Sequence, residues 1–560
     1  MKELRKLVLN NTSKNSNTKH KKMNKIKFQL SGLALFLVTI TLSAQEVITG
    51  ENIAVTNTES GKVRGYIHDD TFIYKGIPYA KAERFMPPTK ADSWEGVRSS
   101  TMYGPVAPLM TPTTEVNDEP EFVFDHDWGY PNEDCLRINI WTPGIDDGKK
   151  RAVLFWIHGG GFTAGSSQEL PSTDGENLSK KGDVVVVSIN HRLNVLGFLD
   201  LSAYGEKYKH SANNSIIDMV AALEWVQTNI GNFGGDPDNV TIFGQSGGGA
   251  KVNTLMAMPR AKGLFHKAVN QSGSFRAAML EKNETQAIAA EVLSNLGLNE
   301  NQVDSLQKIP FEVLSAASTR ALKTVEEKMK AEGKPVMGFG LNWGPSRDGE
   351  DLPYQLFSEE AFMLSKDIPL LLGTTKNEFA PFANMRFVNA SEQEIMEHIK
   401  EQHKDKADAY IQAVKKAYPE DSDPKDLLDV DTMFRPGAVV QANEKSNIQD
   451  GAPVYMYLFT WQSPVWDGKY KSLHCMELPF VFDNIERGKN MTGGGAAAHV
   501  LADKVSNAWI NFAKNGDPNH SGLPTWPAYN SSNTATMHLD NTCEVKPQLD
   551  KELFDLVSSN

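Results

Sequence analysis

Ser246 lies in the run Asn239-Val-Thr-Ile-Phe-Gly-Gln-Ser-Gly-Gly-Gly249, where a short apolar segment leads into Gly244-Gln245-Ser246-Gly247-Gly248. This is a G-x-S-x-G pattern, the mark of a serine held on a sharp turn between a strand and a helix. Such a turn lifts one side chain clear of the sheet, and its crowded backbone leaves no room for a β-carbon on the neighbours. Chance alone supplies roughly 0.2 such matches in a chain of this length, so the surroundings must decide. A second glycine cluster, His158-Gly159-Gly160-Gly161-Phe162, follows the apolar run Val153–Ile157. Consecutive glycines after a strand leave backbone N–H groups bare and able to converge on an anion. As an oxyanion hole the donors are the N–H groups of Gly160, Gly161 and Gly247. A flexible turn or a phosphate cradle are the alternatives. The order favours the hydrolase reading, because G-x-S-x-G follows on a later strand.

These residues need a scaffold, and the apolar pattern supplies one. The runs Val153–Ile157, Val184–Ile189, Val240–Phe243, Pro369–Leu372 and Val454–Phe459 read as strands buried on both faces. Between two of them, Ile216, Val220, Leu223, Val226 and Ile230 recur at helical spacing, which predicts a helix with one buried face. Strand-helix-strand alternation makes an α/β protein with a mainly parallel sheet, whose functional residues gather in loops at the strands' carboxyl ends. The stretches Glu281–Lys330 and Ser391–Lys416 read as helical insertions around that sheet. We expect one domain over residues 45–560.

Residues 1–44 do not read as fold. They carry nine Lys or Arg against one Glu, then an uncharged run from Phe28 to Leu42, then Ser43-Ala44-Gln45. This predicts a signal peptide cut near Ala44, with the true start possible at Met23, and hence an exported protein, periplasmic or secreted. The apolar run falls short of the ~20 residues a membrane span needs. The formal net charge is −13, and the remainder is more acidic once that basic segment is gone. Nucleic acid and anionic membranes are therefore poor partners. Cys135, Cys475 and Cys543 are the only cysteines. Three cannot all pair within one chain, and no C-x-x-C, H-E-x-x-H or P-loop pattern is present, so we expect neither metal nor cofactor.

Together these motifs resemble the type-B carboxylesterases, the α/β-hydrolase family that includes bacterial para-nitrobenzyl esterases and the cholinesterases. Besides the serine turn and His158–Phe162, the resemblance rests on Glu133-Asp134-Cys135-Leu136-Arg137-Ile138-Asn139, Ser188–Arg192 with Gly197-Phe198, and Phe233–Val240. It covers essentially all of the chain after the signal segment. The resemblance implies an α/β-hydrolase fold and a catalytic triad of Ser246, Glu378 and His474. Glu378 ends Leu371–Glu378, and His474 lies in Leu473-His474-Cys475-Met476-Glu477-Leu478-Pro479-Phe480. Without it, a glutamate after a strand is most often a solvated charge and a histidine most often a packing residue. The implied chemistry is hydrolysis of a small-molecule ester through an acyl-enzyme. Amide, carbamate or thioester hydrolysis on the same machinery is the alternative, and a non-catalytic cholinesterase-like binding protein a more distant one. The resemblance further implies ion pairs Arg84–Glu133 and Arg192–Asp218 and a Ser272 hydrogen bond near the acid. Glu477, three residues from His474, is the nearest rival acid and reads as a structural ion-pair or hydrogen-bond partner. Trp128 and Phe162 are the expected substrate contacts.

The chain departs from the family's pattern in three places. Gln245 stands where the family usually has Glu, Gly247 where it has Ala, and Ala107 where many relatives have the partner of Cys135. Cys135 is therefore expected as a free thiol. The segment from Ala107 to Asp134 carries Glu115, Asp118, Glu119, Glu121, Asp125 and Asp127 interleaved with Phe122, Phe124, Trp128 and Tyr130. It reads either as a solvated acidic loop or as a mouth selecting aromatic or cationic esters.

Overall fold

The computed structural model describes residues 47–109, 118–275, 278–336 and 340–558. The signal segment expected over residues 1–44, with its alternative start at Met23, lies outside them, as do Glu115 and the side chain of Asp118.

The apolar runs pair with one another because a buried strand can satisfy its backbone groups only through neighbouring strands. The main sheet comprises β1 (Tyr66–His68), β2 (Thr71–Pro78), β3 (Arg137–Thr142), β4 (Arg151–Ile157), β5 (Val185–Ile189) and β6 (Gly235–Gln245). It continues with β7 (Lys267–Gln271), β8 (Leu370–Thr375), β9 (Val454–Phe459), β10 (Thr536–Leu539) and β11 (Glu544–Lys546). The order across the sheet is β11-β10-β9-β8-β7-β6-β4-β5-β3-β2-β1. From β5 through β10 every neighbouring pair is parallel, and the two edges are antiparallel. This is the α/β-hydrolase architecture, with helices on both faces.

The strand order reverses beside β4. Its chain leaves toward β5 on one side, while β6 pairs on the other and leaves toward β7. That reversal opens a crevice at the carboxyl ends of β4 and β6. Gly244 is paired with Ile157 across the two strands, so the glycine loop after β4 and Ser246 after β6 begin side by side.

Successive strand residues face opposite layers. Val153, Phe155 and Ile157 enter one core, and Leu154 and Trp156 the other. Several boundaries differ from the sequence expectation. β6 starts at Gly235, five residues earlier than expected, because an irregularity in its pairing with β4 lets the chain continue through Gly235–Val240. β5 begins at Val185 and β8 at Leu370, just after Pro369, which has no N–H for a ladder.

The helix expected over 216–230 spans Asn214–Asn229, followed by a tighter turn at Ile230–Phe233. Its expected single buried face is a correction: Ile217, Asp218, Met219, Ala222 and Trp225 are buried as well. β6, the helix Gly247–Met256 and the Ala80–Lys81 segment pack around it, so little of its circumference meets water. The first insertion folds into helices Lys282–Asn295 and Phe311–Ala331, which feed the core beneath the sheet. The second contributes Glu392–His403 and Ala407–Ala417, which make a small core of their own with Leu553 and Phe554. All three cysteines are free, and burial pushes the Cys135 thiol up to about 12. No described helix is long and apolar enough to cross a membrane.

Candidate active site

β6 ends at Gln245 and the next helix begins at Gly247, so Ser246 alone makes the turn, at φ 57° and ψ −125°. A β-carbon resists this conformation. It is held by the Ser246 N–H, which donates to Gln271 O on β7 at 2.7 Å. Opposite it, Gly160 and Gly161 take φ values of 77° and 62°, open to glycine without strain. Gly247 packs so closely on this loop that a β-carbon there would lie 2.1 Å from Gly161 O. The backbones of Gly160, Gly161 and Gly247 therefore adjoin at one end of a cavity of about 590 Å³ that Ser246 also lines.

His474 lines the same cavity, although 228 residues separate it from Ser246 in the chain. Its Nδ1 is bonded to Glu378 Oε2, and its backbone N–H donates to Glu378 O at 3.1 Å. Glu378 follows β8 at a positive φ of 45° and is fully buried. Its other oxygen, Oε1, accepts from Ser272 Oγ at 2.6 Å and from the Thr375 N–H at 2.9 Å. The imidazole is flanked by Phe379 at 4.1 Å and Phe434 at 5.0 Å between ring centroids. With Nδ1 donating to a carboxylate, the neutral ring presents a lone pair at Nε2.

A model of the carboxylesterase family matches residues 52–557. The para-nitrobenzyl esterase of Bacillus subtilis is 36% identical over 89% of this chain and 97% of its own length. The phenmedipham hydrolase of Pseudarthrobacter oxydans is 30% identical over 86% and 94%. Among solved structures, an esterase from Clostridium hathewayi that can hydrolyse aliphatic aromatic polyesters superposes with a TM-score of 0.80 at 38% identity, covering 92% of this chain and all of that one. The chain belongs to the carboxylesterase family. It is a carboxylic ester hydrolase.

In this carboxylesterase the expected site residues converge. Ser246, His474, Gly160, Gly161, Trp128 and Phe162 line one cavity, with Gly247 against the glycine loop and Glu378 behind the histidine. Eight Phe and Trp residues line the cavity. Phe124, His126 and Trp128, alternate residues of the acidic segment, stack in sequence at 5.3 Å and 4.5 Å. Phe275, Trp343, Phe379 and Phe434 come from remote parts of the chain and had no local signal.

Three described acids of that segment are bound by neighbouring side chains. Glu119 pairs with Lys469, Glu121 accepts from His126 Nδ1 at 3.0 Å, and Asp127 accepts from Gln168 Nε2 at 2.8 Å. None of the described acids of the segment lines the cavity, and Phe122 and Tyr130 are exposed. Ion pairing and hydrogen bonding thus engage Glu119, Glu121 and Asp127.

The supporting pairs form as the family resemblance implied. Arg84 engages Glu133 through both carboxylate oxygens and donates to Leu306 O at 3.0 Å. Arg192 reaches Asp218 at 2.8 Å and 2.6 Å in a fully buried bidentate pair. Glu477 accepts from Gln271 Nε2 at 3.1 Å, and burial followed by the Glu378 charge pushes its carboxyl up to about 7. Gln245 lies under the imidazole, its Nε2 3.2 Å from His474 Nε2 and 3.4 Å from Nδ1, and its Oε1 accepts from Cys475 Sγ at 3.1 Å.

Asp431 and Glu169 escaped the sequence reading. Asp431 caps the start of the helix Phe434–Ser446, accepting from the Arg435 N–H at 2.7 Å. Burial, with the Glu378 charge second, pushes its carboxyl up to about 7. Glu169 lines the cavity, and burial lifts it to about 7 as well.

Proposed function

We propose that the enzyme cleaves carboxylic esters through an acyl-enzyme on Ser246. His474 Nε2 takes the Ser246 proton as Oγ attacks the ester carbonyl, and Glu378 fixes the tautomer and stabilises the imidazolium. The tetrahedral oxyanion is received by the N–H groups of Gly160, Gly161 and Gly247, donors that need no reorganisation as charge develops. The alcohol leaves with the proton from His474, and water then repeats the sequence on the acyl-serine. The observation that carries this reading is the His474–Glu378 bond, which orients the imidazole as a base in the cavity that Ser246 lines. The aromatic wall supports esters with a flat aromatic acyl or alcohol group, which stack on rings at little entropic cost. The basic segment and apolar run within residues 1–44 support export.

The test is a stopped-flow assay with p-nitrophenyl acetate and butyrate, wild type beside Ser246→Ala. A burst of nitrophenolate scaling with enzyme concentration and absent from the variant is expected. A folded wild type with no burst and no labelling of Ser246 by a fluorophosphonate would overturn the acyl-enzyme.

A further inference from the structure

Lys251 sits on the helix that follows Ser246 and is completely buried. Among the described residues no carboxylate bonds to its ammonium. Nζ donates to His158 O at 2.9 Å and to Gly159 O at 3.3 Å. Gly159 O also lies 3.0 Å from His158 Nδ1, and burial, reinforced by Lys251 and His191, holds that ring well below its ordinary pKa, so it is neutral and Nδ1–H is the donor. One carbonyl of the glycine loop thus takes two donors from the protein interior.

The Gly159 C=O and the Gly160 N–H belong to the same peptide unit. In a planar trans peptide the two point in opposite directions. Donors on the oxygen therefore set the orientation of the N–H on the far side, and they draw electron density from it, which makes it a stronger donor. The loop needs such restraint, because Gly160 and Gly161 have no side chains to hold their backbone. A methionine or leucine would fill the same space without the cost of desolvating an ammonium, so the space alone does not account for a lysine. Its counter-charge comes from Glu169, whose field opposes the burial that draws Lys251 down to about 7.

We propose that Lys251 is a positioning residue for ester hydrolysis: by holding the His158 and Gly159 carbonyls it fixes and polarises the peptide that presents the Gly160 N–H to the oxyanion. The role rests on the oxyanion-hole reading above. It predicts a cost that appears when the carbonyl oxygen becomes an anion and not when substrate binds.

The experiment compares wild type with Lys251→Met using p-nitrophenyl butyrate, an aryl trifluoromethyl ketone and the matching methyl ketone. The trifluoromethyl ketone adds to the serine and forms an oxyanion, while the methyl ketone only occupies the cavity. Lys251→Met is expected to lower kcat by roughly 10- to 100-fold, less than the loss of a whole oxyanion donor in general costs, with KM little changed. Affinity for the trifluoromethyl ketone should fall by the same factor as kcat/KM, and affinity for the methyl ketone should hold. Unchanged trifluoromethyl ketone affinity, or equal weakening of both ketones, would overturn the proposal. Lys251→Gln keeps a neutral amide donor group on a shorter side chain and gives a second route should the methionine variant fail to fold. It is expected to fall between the other two, and a glutamine variant as active as wild type also overturns the role. Wild type that forms no adduct with the trifluoromethyl ketone would instead bring down the oxyanion-hole reading itself.

Discussion

Ser272 Oγ donates to Glu378 Oε1 at 2.6 Å, while Oε2 of the same carboxylate takes the Nδ1–H of His474. The two oxygens have separate tasks, one anchoring the acid to β7 and the other orienting the base. Ser272→Ala leaves Oε1 with the Thr375 N–H at 2.9 Å. One lost hydrogen bond of about 1–1.5 kcal/mol should lower kcat by roughly tenfold with little change in KM. Steady-state kinetics checks this, and an unchanged kcat would show that the Thr375 N–H alone suffices.

Gly247 carries a second prediction. A β-carbon there meets the Gly161 backbone, which has no flexible side chain to move aside. Gly247→Ala must displace the glycine loop, so kcat should fall by roughly 10- to 100-fold while the fold survives. Retention of full activity would mean that the loop relocates without losing its donors.

Gln245 touches the imidazole from below. Replacing it by glutamate puts an anion in that position and favours the protonated ring. Gln245→Glu should move the acid limb of the kcat/KM pH profile upward by about one unit, and an unmoved limb would count against an ionised carboxylate there.

The Arg192–Asp218 pair lies in the interior, with Arg192 also donating to Glu83 O at 3.1 Å and Met86 O at 2.8 Å. Asp218→Asn strands a buried guanidinium and should cost about 3–5 kcal/mol of stability. Thermal unfolding should shift down by several degrees, with kcat per folded site almost unchanged. A large kcat loss in the folded fraction would give the pair a part in catalysis.

Glu477 is raised from 4.5 to about 7, mainly by burial. Its folded form binds more protons than its unfolded form between those values, so its contribution to stability is complete below 4.5 and is lost as pH rises through about 7. Glu477→Gln removes that dependence. Relative to wild type, the variant should gain about 1–3 kcal/mol between pH 5 and pH 8, read from urea midpoints at the two pH values. A parallel pair of curves would place the titration elsewhere.

The serine turn, the glycine loop and the parallel sheet that sets them side by side are legible in the chain, because each is written in a short contiguous run. Apolar strands, glycines that admit a positive φ or a close approach, and the order of the two loops are local properties of the chain. Its resemblance to a family also placed Glu378 and His474, which no local pattern distinguishes from other acids and histidines. Which side chains face the cavity depends instead on contacts between distant parts of the chain. Phe275, Phe379 and Phe434 arrive from separate parts of the chain, and the segment around Trp128 puts Phe124, His126 and Trp128 on the cavity wall while Lys469, His126 and Gln168 engage three of its acids. Lys251 makes the same point most sharply. In the sequence it is a lysine in a short helix, and its hold on the glycine loop exists only because strand pairing brings β4 and β6 into contact.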